Sequence, residues 1–155
     1  MIRLKRSDTK YHNKKTEFDG ITFDSAKEGK AYLVLKALQD EGYISDLELQ
    51  PKYELIPSIK EVYTKQLKTK TKQCERTVQL AVTYTADFRF ICNGKQVVMD
   101  VKASPKMIPP EFRLKAKMMR YFHGINVVCV FKLKELDIFK QPHYGETEED
   151  TTQTE

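Results

Sequence analysis

The sequence predicts an α/β fold, a mixed central sheet flanked by helices, with elements in the order helix, strand, strand, strand, helix, strand (αβββαβ). Three observations predict it. Residues 83–103, TYTADFRFICNGKQVVMDVKA, centre an Asn-Gly pair between two apolar-rich runs. This pair is the strongest short-range mark of a two-residue hairpin, because a type I′ turn needs positive φ at both positions. Ahead of it, a helical run opens on a capping signal at Asp24 or Ser25, extends to about Glu41 and stops at Gly42. Behind it, Pro109-Pro110 opens a second helix, from about Glu111 to His123 with Gly124 as terminator, and INVVCVF at residues 125–131 follows as a continuous apolar run suited to a buried strand.

In chain order, residues 1–17 carry six Lys/Arg, among them Lys10, Lys14 and Lys15, with little apolar content, and read as a flexible basic arm. Residues 18–140 form the expected domain. Phe18 to Phe23, around Asp19-Gly20, reads as a short turn or hairpin. In the first helix Ser25 and Glu28 fit a capping box, yet Glu28 also lies on the apolar face with Ala31, Tyr32 and Leu35, where a carboxylate wants a partner. ISDLELQPKYELI, residues 44–56, alternates apolar and polar around Pro51 and suggests a strand bent or interrupted there. Residues 57–78 lack periodicity and hold Lys60, Lys65, Lys68, Lys70, Lys72 and Arg76; they fit either a long loop or two strands extended into a basic β-ribbon. In the second helix Phe112, Ala116, Met119 and Phe122 make an apolar stripe opposite Arg113, Lys117 and Arg120. A short segment at residues 136–139 precedes a tail, residues 141–155, expected to be disordered and acidic.

The Asn93-Gly94 turn fixes a register. Residues facing one another have numbers summing to 187, which pairs Cys92 with Lys95, Phe90 with Val97 and Phe88 with Met99, and sets Asp87 opposite Asp100. Phe88, Phe90, Val97, Met99 and Val101 then share one face, and Asp87, Asp100 and Lys102 the other. Like charges directly opposed across a sheet are destabilising, so a positive group belongs between them. Two carboxylates with few competing ligands suit a hard cation such as Mg²⁺, with Lys102 as a third charged group. Two solvent-facing aspartates neutralised by Lys102 are the alternative. That alternative explains poorly why pair and lysine coincide in the most apolar part of the chain.

At 155 residues and 40% hydrophobic content the chain is long enough for one domain with a core. No run approaches a membrane span and the N-terminus has no signal-peptide h-region, so the cytoplasm is the expected compartment. Cys74, Cys92 and Cys129 are odd in number and scattered, which argues against a disulfide framework and a zinc site. The last ten residues hold five acids and no base, so the net charge of +5 becomes +10 over the other 145 residues. A body this basic points to a polyanion, most simply nucleic acid. There is no internal repeat, Gly-rich phosphate loop or GxSxG motif.

An acid on the first helix, an acid on the second strand and Asp-x-Lys on the third resemble the PD-(D/E)xK nuclease superfamily. More narrowly, KYHNKKTEFDGITFDSAKE, LELQPKYEL, TYTADF and VVMDVKA, spread over roughly residues 10–132, resemble the phage Holliday-junction resolvases. The resemblance implies a restriction-endonuclease-like core, with Glu28, Asp87, Asp100 and Lys102 as catalytic residues. It further implies Mg²⁺, for which Mn²⁺ would substitute, held by Asp87, Asp100, the Val101 carbonyl and Glu28. The activity implied is metal-dependent cleavage of four-way DNA junctions by a homodimer, in the host cytoplasm if the chain is phage-encoded. Lys10, Lys14, Lys15, Lys65, Lys68, Lys70, Lys72 and Arg76 are the expected DNA contacts. Three positions depart from the pattern: Ala86 where proline is usual, Asp100 where glutamate is commoner, and Ala103 where glycine is frequent. The alternatives are a restriction-type or nicking nuclease of the same superfamily, and a phage DNA-binding module without catalysis.

Overall fold

The structure is a computed structural model and describes residues 15–142 and Tyr144. Lys10, Lys14 and the acidic stretch from residue 145 onward lie outside the described residues. Strands β1 (Thr16–Phe18) and β2 (Ile21–Phe23) precede helix α1 (Ala26–Asp40). Seven strands follow: β3 (Ile44–Leu49), β4 (Lys52–Ile56), β5 (Ile59–Gln66), β6 (Thr71–Gln79), β7 (Val82–Thr85), β8 (Phe88–Cys92) and β9 (Lys95–Val101). Helix α2 (Pro110–His123) and β10 (Val127–Val130) complete the chain, with 3-10 segments at Pro105–Met107 and Leu133–Lys140. Among the described residues no helix is long and apolar enough to cross a membrane.

The central sheet is mixed and has the order β10-β9-β8-β3, with β10 parallel to β9 and the other pairs antiparallel. Taken with α1 and α2, its strands occur along the chain as αβββαβ. The β8–β9 hairpin has the register that Asn93-Gly94 dictates, from Cys92↔Lys95 to Phe88↔Met99. Both turn residues have positive φ, 49° and 73°. One face of this hairpin, with Phe88, Phe90 and Met99, packs against Ala31, Leu35 and Leu38 of α1 and against Leu136 and Phe139. The other face carries Val98 into a smaller core with Tyr84, Leu55 and Met119 of α2.

The strand expected through residues 83–92 is broken in two. β7 leaves the central sheet to pair with β4, and β8 stays in it; Ala86-Asp87 is the joint. The break is matched across the sheet, where Gln50 (φ 50°) and Pro51 separate β3 from β4. The Gln50 amide donates to the Asp87 carbonyl (3.0 Å) and the Ala86 amide to the Pro51 carbonyl (3.0 Å). Two strands thus change sheets together, and Asp87 sits where they do so.

Two boundaries and one packing assignment differ from expectation. Thr16 and Glu17, expected in the basic arm, form β1 with Phe18 and pair with β2, and the Phe18 ring lies over α1 at Gly29. Gly29 leaves room for that ring, and a Cβ there would lie 2.1 Å from it. At the other end Asn93 Nδ2 donates to the carbonyls of Gln141, Pro142 and Tyr144, and Tyr144 packs edge-on against Phe139, so ordered chain runs past residue 140. Phe122 is exposed, not part of the α2 stripe. His123 closes that end of the helix instead, its ring against Tyr53 and its Nε2 2.9 Å from the Glu54 carbonyl.

Candidate active site

Asp100 is the only buried charged residue among those described, at 2% exposure. It lies in β9 opposite Cys129 of β10. One carboxylate oxygen accepts from Lys102 Nζ at 2.8 Å, and the other accepts from the hydroxyl of Tyr84. Lys102 also lies over the Phe112 ring of α2, 4.5 Å from its centroid. Phe112 meets Tyr84 edge-on. Asp100, Lys102, Tyr84 and Phe112 are therefore one interlocked group under α2, lining a hollow of about 420 Å³.

Asp87 and Glu28 line a different hollow, of about 100 Å³, with Gln50 and Phe23. Asp87 reaches across the end of the β8–β9 ladder, where one of its oxygens accepts from the Val101 amide at 2.6 Å. The hairpin keeps its expected register as far as Phe88↔Met99, but Asp87 lies just beyond the ladder, outside β8, and the two carboxylates do not share a face; they line separate hollows. The Val101 amide fixes Asp87 at the end of the ladder, close enough to Lys102 for the two charges to act on each other. Glu28 sits in the first turn of α1, half-buried. Its amide donates to Ser25 Oγ at 3.2 Å, which makes Ser25 the cap, and its carboxylate accepts from the same hydroxyl at 2.8 Å. The capping box is thus closed through the Ser25 hydroxyl, not the Ser25 amide.

The charges are poorly solvated. Burial raises the Asp87 carboxyl above its ordinary pKa, against the pull of the Val101 amide and of Lys102. Burial likewise raises Asp100 although Lys102 opposes it. Glu28 is raised by burial, and the charges of Asp87 and Asp24 add to this. For Lys102 burial acts downward, but the bond to Asp100 and the charges of Asp100 and Asp87 outweigh it and hold the ammonium above its ordinary value. Burial is the main cause of the upward shift of all three carboxyls.

Sequence reasoning missed a tether. Lys27, beside Glu28, donates to the carbonyls of Lys102 (2.6 Å) and Phe131 (2.5 Å), fastening α1 to the ends of β9 and β10. A cation in the first turn of a helix opposes the helix dipole, and that misplacement was the available signal. Tyr84, read only as part of an alternating strand, carried no comparable signal. Of the expected DNA contacts, Lys65, Lys68, Lys70, Lys72 and Arg76 lie on β5, β6 and their connection, and Lys15 just before β1.

The donor set is all oxygen, which fits a hard divalent cation. Among the described residues no three of His, Cys, Asp and Glu converge closely enough to cage an ion by themselves. Magnesium sites commonly use one or two carboxylates and complete the shell with water and substrate phosphate, so this arrangement suits such a site better than an all-protein cage.

A family model described as "Protein of unknown function (DUF1064)" matches residues 8–140, most of the chain. The chain belongs to the DUF1064 family. The match spans both helices, the central sheet and the β5–β6 segment, so Glu28, Asp87, Asp100 and Lys102 all fall within the family's extent. Neither curated proteins nor solved structures give a match.

Proposed function

We propose that this DUF1064 chain is a metal-dependent DNA endonuclease with a restriction-endonuclease-like core, selective for four-way junctions and acting as a homodimer in the cytoplasm. The observation that carries the reading is the position of Asp87 on the Val101 amide. It holds the acid from the β7–β8 joint at the end of β9, on the residue between Asp100 and Lys102. The αβββαβ order of α1, the sheet and α2 supports it, as does the basic body.

Asp87, Asp100 and the Val101 carbonyl are the oxygens that would hold Mg²⁺, or Mn²⁺ in its place, with Glu28 completing the site directly or through water. Bound there, such an ion lowers the pKa of water and offsets charge on the phosphate. Lys102 supplies a fixed positive charge beside the scissile phosphate; its ion pair with Asp100 and its seat on Phe112 favour the ammonium, so its role is electrostatic stabilisation and not proton abstraction. Tyr84 and Lys102 orient the Asp100 carboxylate, and the Val101 amide orients Asp87. Lys27 holds the end of β9 against α1, on the side where Glu28 and Asp87 line one hollow. A two-fold dimer would supply two sites for two strands.

A second reading, a phage DNA-binding module without cleavage, is favoured by one observation: both Asp100 oxygens are already engaged, by Tyr84 and Lys102. One experiment separates the readings. Labelled immobile four-way junction and matching linear duplex are incubated with purified protein in Mg²⁺ and in EDTA. Symmetric, metal-dependent cuts in the junction alone are expected. Cuts in both substrates would indicate a restriction-type or nicking nuclease, and binding without cleavage would leave the module.

A further inference from the structure

β5 and β6 pair only with each other, through eight cross-strand pairs from Ile59↔Gln79 to Gln66↔Thr71. At a rise of about 3.3 Å per residue the ribbon is about 26 Å long. From Pro57 to Leu80 every residue except Cys74 is exposed. Such an element buries almost nothing, so what its surface carries is the clue to its use.

Charge is sorted along it. Near the base, Lys60 pairs with Glu75 and Arg76 with Glu61. Residues 62–74 contain Lys65, Lys68, Lys70 and Lys72 and no acid. None of these four lysines is in an ion pair among the described residues. Lys65 and Lys72 are directly opposed in register, an arrangement that costs stability unless a polyanion lies against it. Faces are sorted too. The pairs on either side of Lys65↔Lys72 are Thr64↔Gln73 and Gln66↔Thr71, so the other face of the tip is wholly Thr and Gln. Side chains of these types hydrogen-bond base edges and sugar-phosphate, and lysines reach phosphates on flexible stems.

We propose that the β5–β6 ribbon is a duplex-DNA arm. Its tip enters the major groove, with the Thr/Gln face towards the base edges on one side, Lys65 and Lys72 on the opposite face towards the phosphates of the other side, and Lys68 and Lys70 at the turn within reach of the same backbone. The B-form major groove, roughly 12 Å wide, admits a two-stranded ribbon, whereas that of A-form RNA is too narrow for side-chain readout. The choice of polyanion rests on the nuclease reading above. The arm lies outside the carboxylate site, which allows the two to be tested apart.

Full-length protein and a variant with Lys65→Gln, Lys68→Gln, Lys70→Gln and Lys72→Gln are titrated with short duplex DNA and duplex RNA in EDTA, over a range of salt. Wild type is expected to prefer DNA by at least about tenfold, since A-form RNA closes the groove to the ribbon. The variant should bind DNA on the order of 100-fold more weakly, with its log–log salt slope reduced by roughly 3 to 4, near 0.9 per lost phosphate contact. Unchanged affinity and slope would overturn the arm, whatever the cleavage assay shows; so would equal wild-type affinity for the two duplexes, or a fall in affinity that accompanies a change in the protein's mass in solution. Failure of wild type to cut any DNA, with the binding difference intact, would break the nuclease reading and leave the arm standing.

Discussion

The molecule has two long hairpins built on the same antiparallel ladder, β8–β9 and β5–β6, and they have opposite fates. The first has the shorter ladder, five cross-strand pairs against eight, yet it is the centre of the structure. Phe88, Phe90 and Met99 are packed under α1, and Val98 under α2. In the ribbon, Val62 is 69% exposed and Val78 54%. Ladder hydrogen bonds are exchanged against water and contribute little net, whereas burial of apolar area is roughly proportional to the area removed from solvent. The buried hairpin can therefore hold desolvated carboxylates in fixed positions. The exposed one is free to carry unneutralised charge.

The sharpest division between the two is functional. Asp100→Ala, like Asp87→Ala or Lys102→Ala, is expected to lower junction cleavage by about 10³-fold or more while leaving DNA affinity in EDTA near wild type. Full cleavage activity in purified Asp100→Ala protein would remove the site assignment. In stability the contrast is nearly as large. Phe90 is fully buried with its ring edge-on to Phe139, 4.9 Å between centroids, so Phe90→Ala should cost about 3–5 kcal/mol in a denaturant titration. Val62→Ala in the ribbon should stay within about 0.5 kcal/mol. A ribbon valine as costly as the core phenylalanine would mean that β5–β6 is covered by something in solution.

A smaller effect tests the tether between α1 and the sheet. Lys27→Met keeps the length of the side chain but removes the donors to Lys102 and Phe131, a loss of roughly 1.5–3 kcal/mol for bonds from a charged group. Because the freed strand end is the one bearing Lys102, cleavage at saturating DNA should fall as well, on the order of tenfold. If stability falls with no change in the cleavage rate, Lys27 holds the fold but not the site.

The buried hairpin was also the legible one. Asn93-Gly94 dictates a turn, the turn dictates a register, and alternation then separates Phe88, Phe90 and Met99 from Asp100 and Lys102; each step is local. The break at Ala86-Asp87 was not legible, because its cause is Gln50-Pro51, more than thirty positions earlier, bonding to the same two residues. For the same reason the separation of Asp87 from the Asp100 hollow was hidden: it depends on the Val101 amide being left for Asp87 at the end of the ladder. The ribbon gave no decision between loop and strand, since period-2 alternation is visible only when one face is buried. Phe122 was assigned to the α2 stripe by spacing alone. The helix ends against Tyr53 and the Glu54 carbonyl through His123, and Phe122, next to it, points to solvent.

The last and smallest effect concerns what the buried hairpin pays for its acids. Burial holds the Asp87 carboxyl above its ordinary pKa, so the folded state binds its proton more tightly than the unfolded chain does. A group of this kind contributes stability below its unfolded pKa and loses it as pH rises through the folded value; at neutral pH the whole penalty is present. Asp87→Asn keeps an oxygen for the Val101 amide and cannot ionise. In EDTA it should therefore melt at a higher temperature than wild type at pH 7, and the gain should shrink on acidification and vanish below the ordinary carboxylate range, near pH 3.9. A Tm below wild type at pH 7 would contradict this, and would mean that the attraction of Lys102 exceeds the cost of burial. A gain that survives at low pH would have another origin than charge. The ribbon provides the control: Glu75→Gln removes an exposed partner of Lys60, and its Tm should track wild type across the same pH range, because a surface ion pair contributes at most about 1 kcal/mol.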